Sequence, residues 1–275
     1  MDALLDLAKT LLINYQSAGW GRENDYLDRV EVLTDGGTPP ALLNMLKGQF
    51  NVTSAWDARG SGTAALVTEE GNAKFLERLQ VAQTAFEAAW AADETQDGTA
   101  VGMITVCVGL GHPRTEMEKW FQRALTANPD SYAACGAKLN YLYPKWPGEP
   151  GDELAFGRQC LRSGNYVAGL PFILVRAQRS RAPQELMKFS QYLGENPVAW
   201  ADVREYYKHA LSKSPADRQL LREYAVWCAG TGHWSAAKKH LKALNGVPAE
   251  GVFATLPDFQ TFVRQVDFKL KNAPK

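Results

Sequence analysis

The sequence lacks any excess of charge of one sign, and this absence argues against two classes of partner. Its 275 residues include 30 Lys and Arg against 30 Asp and Glu, so the formal net charge is zero. Proteins that neutralise nucleic-acid phosphates or coat anionic membranes usually carry a surplus of basic residues. We therefore expect neither nucleic acid nor a membrane as the partner.

Long apolar runs and closely spaced cysteines are also missing. No stretch approaches the roughly 18 apolar residues of a membrane-spanning helix, and the amino terminus does not have the pattern of a signal peptide. The four cysteines, Cys107, Cys135, Cys160 and Cys228, are far apart, so no metal-ligand spacing occurs. We expect buried thiols, no metal, no cofactor and a cytoplasmic protein. The alternative is an exported protein whose leader was removed before Met1.

What the sequence does contain is the spacing of amphipathic helices, beginning with Asp2–Tyr15 and a shorter stretch at Tyr26–Leu33. The clearest helix is Asn72–Ala92, in which Phe75 and Leu79 begin one apolar stripe and charged residues lie off it. Gly and Pro separate the helical stretches, and no run alternates with the period of two that is typical of strands. The sequence predicts an all-α protein of about 12 to 15 helices.

Two stretches of the chain match each other. Trp120–Pro129 and Tyr206–Pro215 each have two aromatic residues, then Ala-Leu, then a polar turn that ends in proline. This pattern is typical of the second helix of a tetratricopeptide repeat, and residues 221–241 resemble the next unit. We predict an irregular tetratricopeptide-like α-solenoid over residues 71–275, with an N-terminal helical region, residues 1–70, packed on it. Ordinary helix packing without a repeat function is the alternative.

Two segments, Ala55–Gly62 and Tyr141–Gly148, make the chain resemble an uncharacterised bacterial family of tetratricopeptide-like helical proteins. The resemblance is best over about residues 50–165. Its most specific parts are the Ala-Arg-Gly-Ser-Gly and Pro-Lys-Trp sequences within those two segments. The family is a domain of unknown function, so the resemblance implies an α-helical repeat fold and no particular activity.

The same segments hold the candidate functional residues. A glycine loop follows Arg59, and backbone N–H groups of such a loop can bind an anion. In the alternative interpretation the glycines only shape a turn and Arg59 pairs with a neighbouring carboxylate such as Glu69 or Glu70. Near residue 145, aromatic and cationic side chains lie beside prolines, which suits a recognition surface. Trp146 covering the open end of a helix pair is the alternative there.

These features predict a non-enzymatic protein that binds a peptide or protein partner on the concave face of its repeat. The candidate binding residues are Trp56, Arg59, Tyr143, Lys145 and Trp146. No set of residues has the spacing of a catalytic site. An enzyme or small-ligand-binding protein, with an anionic ligand at Arg59 and the following glycine loop, is the alternative.

Overall fold

The computed structural model describes residues 37–60, 62, 64–182, 186–246 and 256–272. All regular elements within these ranges are helical and none is a strand, so the all-α prediction is confirmed. The first of two compact units ends at Pro150 and the second begins at Gly151. The helices on both sides of residue 70 belong to the first unit. The predicted helices at Asp2–Tyr15 and Tyr26–Leu33 lie outside the described residues.

The first unit has five α-helices in its described part, joined by short connections. They are α1 (Pro40–Arg59), α2 (Glu69–Ala92), α3 (Asp97–Leu110), α4 (Arg114–Ala127) and α5 (Tyr132–Tyr141), with a 3-10 turn at Ala64–Leu66. Helix α2 begins where the sequence has a good cap, because the Thr68 hydroxyl accepts a hydrogen bond from the Gly71 N–H at 3.0 Å.

Helices α1, α2 and α3 pack closely around one aromatic ring. The Phe86 side chain of α2 is fully buried, and its ring lies against Gly48 of α1 and Gly102 of α3. A Cβ atom at either glycine would overlap this ring. The two glycines therefore allow three helices to approach one another at the centre of the first unit.

The second unit has seven α-helices in its described part. They are α6 (Asp152–Arg162), α7 (Phe172–Arg181), α8 (Leu186–Glu195), α9 (Pro197–Lys213), α10 (Arg218–Gly230), α11 (Trp234–Ala243) and α12 (Leu256–Lys271). The sequence predicts that α7 starts at Tyr166, and that start is wrong. Gly169 has a left-handed backbone conformation with φ of 75°, which an α-helix does not tolerate, so residues before Phe172 form turns.

The residues that define the predicted repeat are core residues in both stretches. Trp120 and Phe121 of α4 are buried, and so are Tyr206 and Tyr207 of α9. Helices α10 and α11 form a hairpin whose turn contains Gly232 with φ of 78°, in the conformation that glycine favours. The sequence thus predicts the apolar faces of these helices and the site of the turn.

A buried carboxylate joins α6 to α7 in the second unit. Glu153 is only 1% exposed, and its side chain accepts hydrogen bonds from Arg181 Nη1 at 2.7 Å and from the backbone N–H of Gly151 at 3.1 Å. The Arg181 side chain is 44% exposed, so the pair is asymmetric: the negative charge is buried and the positive charge reaches water.

All four cysteines are free and buried, which confirms the expectation of buried thiols. Burial, together with the nearby Glu116 carboxylate, raises the pKa of the Cys107 thiol to about 12, and burial raises the pKa of Cys228 to about 12. Since the thiolate is the reactive form, we expect iodoacetamide to leave the native thiols unmodified under mildly alkaline conditions while it alkylates all four in urea. Mass spectrometry counts the adducts, and fast alkylation of either thiol in native protein would contradict the burial.

Candidate functional site

Two tryptophans from distant parts of the sequence meet on the first unit. Trp56 lies on the last turn of α1, and Trp146 lies in the connection that follows α5. Their ring centroids are 5.3 Å apart and the ring planes make an angle of 82°, which is the edge-to-face arrangement that aromatic pairs favour. Both side chains are half-buried.

Arg59 lies against both indole rings. Its Cζ atom is 5.8 Å from the ring centroid of Trp56 and 5.7 Å from that of Trp146, within the range of cation–π attraction. Residues 56 and 59 are three positions apart on α1, so their side chains share one face of the helix. We call Trp56, Arg59, Lys145 and Trp146 the exposed Arg–Trp cluster.

The cluster is supported from the interior by α2. Phe75 is 5% exposed, and its ring centroid is 4.9 Å from that of Trp56 at an angle of 68°. A sequence-based interpretation places Phe75 on the apolar stripe of α2 but does not reveal that it holds a candidate binding residue. Because Phe75 belongs to the core, it limits the orientations that Trp56 can adopt.

The connection after α5 is folded back on itself, and this holds Trp146 in place. The backbone N–H of Trp146 donates a hydrogen bond to the Tyr143 carbonyl oxygen at 2.8 Å. Gly148 lies so close to the Leu142 backbone that a Cβ atom there would overlap the Leu142 carbonyl. Tyr143, another predicted binding residue, thus contributes its carbonyl group to the turn that presents Trp146.

The positive charges of the cluster have no acidic partner among the residues that the structure describes. Arg59 Nη1 donates only to the carbonyl oxygens of Gly60 and Gly62, at the long distances of 3.4 and 3.3 Å. The Lys145 side chain is exposed, with its Nζ atom 5.8 Å from the Trp146 ring centroid. Two cationic groups therefore lie near the same indole.

The alternative ion pair of Arg59 with Glu69 or Glu70 is absent from the described part of the chain. Glu70 pairs instead with Lys74, four residues further along the exposed face of α2, at 2.7 Å. The reason is the spacing, because residues at i and i+4 on one helix are already neighbours, whereas Arg59 is directed towards the two tryptophans.

An open cleft of about 320 Å³ lies where the end of α1 meets the start of α2. Its lining residues are Asp57, Ala58, Thr68, Glu70, Gly71, Lys74 and Arg78. The cleft contains two carboxylates, of Asp57 and Glu70, and two cationic groups, of Lys74 and Arg78. Burial raises the pKa of Asp57, and the positive charge of Arg78 acts against that shift. Arg59 is not among the lining residues, so the cleft and the cluster are separate features.

A second arginine–tryptophan cluster, which the sequence analysis missed, lies at the other end of α2. Trp90 and Trp120 are 5.9 Å apart at 85°, and the Cζ atom of Arg123 is 4.2 Å from the Trp120 ring centroid. The available signal was the three-residue spacing of Trp120 and Arg123, the same as that of Trp56 and Arg59. We call this set the buried Arg–Trp cluster, because both its indoles are more than nine-tenths buried.

Comparison with known proteins gives no further information about the site. No protein-family model matches this chain, and no curated protein or solved structure matches it either. Within the described ranges, no helix is long and apolar enough to span a bilayer, and no group of His, Cys, Asp or Glu side chains could hold a metal ion. The resemblance to a tetratricopeptide-like family stays a prediction.

Proposed function

We propose that this protein is a non-enzymatic, tetratricopeptide-like α-solenoid that binds a peptide or protein partner through the exposed Arg–Trp cluster. The solenoid part of the proposal is supported by the matching core positions of α4 and α9 and by the hairpin of α10 and α11. Stacked helical hairpins bury their apolar stripes against neighbours and leave an extended concave face for partners. We place the cluster on that face.

The exposed Arg–Trp cluster is the observation that carries the binding proposal. Trp and Arg are the residue types enriched where alanine substitution weakens protein complexes most. The half-buried indoles of Trp56 and Trp146 are already ordered by each other, by Phe75 and by the turn at Tyr143. Binding of a partner would therefore cost little side-chain entropy in this protein.

Selection from a library of random peptides displayed on phage tests this proposal on the full-length protein. We expect selected peptides to bind saturably, and Trp146→Ala to weaken their binding by about tenfold or more, as for a central interface residue. Arg123→Ala is the matched control, because it removes a cation–π contact from the buried cluster. Circular dichroism and thermal melts check that the variants are folded.

Two results would count against the proposal. One is a library that yields no saturable binder to the wild-type protein. The other is a set of binders whose affinities are the same for the wild type and for Trp146→Ala, because the peptides would then occupy another surface.

A further inference from the structure

We infer that the ligand of the exposed Arg–Trp cluster is an acidic peptide segment, with one carboxylate bound by Arg59 and an apolar neighbour packed on the indoles. This inference rests on the proposed function and adds the chemical class of the partner. It follows from the charge, hydrogen bonding and exposure of the four residues that form the cluster.

Charge is the first argument. Arg59 and Lys145 both approach the Trp146 ring, at 5.7 and 5.8 Å from its centroid, and no carboxylate of the described residues pairs with either. The protein as a whole has as many acidic as basic groups. A local pair of cations without an acidic partner among the described residues is therefore a departure from the average surface, and a carboxylate would complement it.

The donor geometry of Arg59 is the second argument. A guanidinium has five N–H donors in a planar fork that matches a carboxylate in a bidentate arrangement. Within the described part of the chain, Arg59 uses only Nη1, which donates to the Gly60 and Gly62 carbonyls. Those contacts orient the guanidinium while its Nε and Nη2 donors make no hydrogen bond to the described residues.

The aromatic surroundings are the third argument. The two indoles shield the guanidinium from part of the solvent, and a charge pair is stronger where the effective dielectric constant is lower. Since Trp56 and Trp146 are only half-buried, they retain apolar surface that a neighbouring ligand residue can cover. The buried Arg–Trp cluster does not offer this surface, because Trp90 and Trp120 are 7% and 3% exposed.

The number of cations favours a carboxylate over phosphate-rich ligands. Nucleic acids are bound through many phosphate contacts from Lys and Arg, and phosphopeptides are bound by groups of arginines. The exposed cluster has a single guanidinium and a single exposed ammonium group beside apolar rings. This combination fits a segment in which an acidic residue lies next to an aromatic or aliphatic one.

The test uses the peptides selected on the full-length protein. Each is synthesised in its selected form and in a form with every Asp and Glu replaced by Asn and Gln, and fluorescence anisotropy gives the affinities. We expect acidic residues to be enriched among the selected sequences. We also expect the amide forms to bind at least about tenfold more weakly, because charge-assisted bonds to Arg59 are lost.

Variants of the protein test whether Arg59 is the residue that prefers the acidic peptides over their amide forms. Arg59→Ala and Arg59→Lys should both weaken the acidic peptides by about tenfold or more, since lysine keeps the charge but has no planar fork. Both variants should bind the amide forms as the wild type does. Arg123→Ala should bind both forms normally. Equal binding of the acidic peptides by Arg59→Lys and the wild type would overturn the bidentate assignment.

The remaining outcomes separate this inference from the proposed function. Selected peptides that bind equally well in acidic and amide forms would overturn the inference while the proposed function stands. A library without any binder would contradict both. Inorganic phosphate, compared with chloride at equal ionic strength, should not displace the acidic peptides selectively; selective displacement would assign the cluster to a phosphate-bearing ligand instead.

Discussion

Replacement of Arg181 by alanine is expected to lower the free energy of unfolding by about 3–5 kcal/mol, the usual cost of leaving a buried charge without its partner. Glu153 would keep only the hydrogen bond from the Gly151 N–H. Its carboxylate is buried between α6 and α7 and has little access to water that could replace the guanidinium. Urea denaturation followed by circular dichroism measures the loss.

The asymmetry of the pair supplies the controls for this experiment. In Glu153→Gln the buried charge is gone and the half-exposed arginine remains solvated, so we expect a smaller loss. The double variant should likewise be more stable than Arg181→Ala alone. Arg162→Ala removes an exposed arginine at the end of α6 and should change stability by less than about 0.5 kcal/mol. If Arg162→Ala and Arg181→Ala have equal effects, the ion pair of Glu153 with Arg181 contributes nothing to the stability.

Gly102→Ala is expected to destabilise the protein by about 1–3 kcal/mol through overpacking, even though alanine is the better helix former. The added methyl group would overlap the ring of Phe86, which is fully buried and also lies against Gly48 of α1. Thermal and urea denaturation both report the change.

Two further variants show whether the ring is the cause. Gly98→Ala lies on the same helix but meets only the Met45 sulfur at 3.3 Å, so its effect on stability should be small. Phe86→Leu makes room beside Gly102 at the cost of a cavity. In that background the additional loss of stability caused by Gly102→Ala should be smaller than in the wild type. An unchanged loss in the Phe86→Leu background would assign the destabilisation to something other than this contact.

Much of the helical structure follows from local sequence signals. The apolar stripe containing Phe75 and Leu79 predicts α2 close to its observed bounds, because one face of a helix must be buried whatever it packs against. The start of α7 could not be placed in the same way. Periodic apolar residues continue through the turn before it, and the left-handed conformation of Gly169 depends on how the turn closes.

For the candidate site, the sequence predicts which residues take part but not which of them are in contact. Residue types at turns pointed to Trp56, Arg59, Tyr143, Lys145 and Trp146 as partner-binding residues, but in two segments of the chain with no predicted contact between them. Packing of the connection after α5 against the end of α1 makes one cluster of them, and no periodicity encodes a contact between residues so far apart in sequence.

The amino-acid sequence alone thus specifies the helical class, the approximate bounds of α2, the buried faces and the zero net charge, since these depend on neighbouring residues or on simple sums. Tertiary structure decides what the charges and rings do. It pairs Glu70 with Lys74 rather than with Arg59, and it brings Arg59 between two half-buried indoles. It also brings the rings of Trp90 and Trp120 to 5.9 Å from each other, because distances between helices are set by packing over the whole unit.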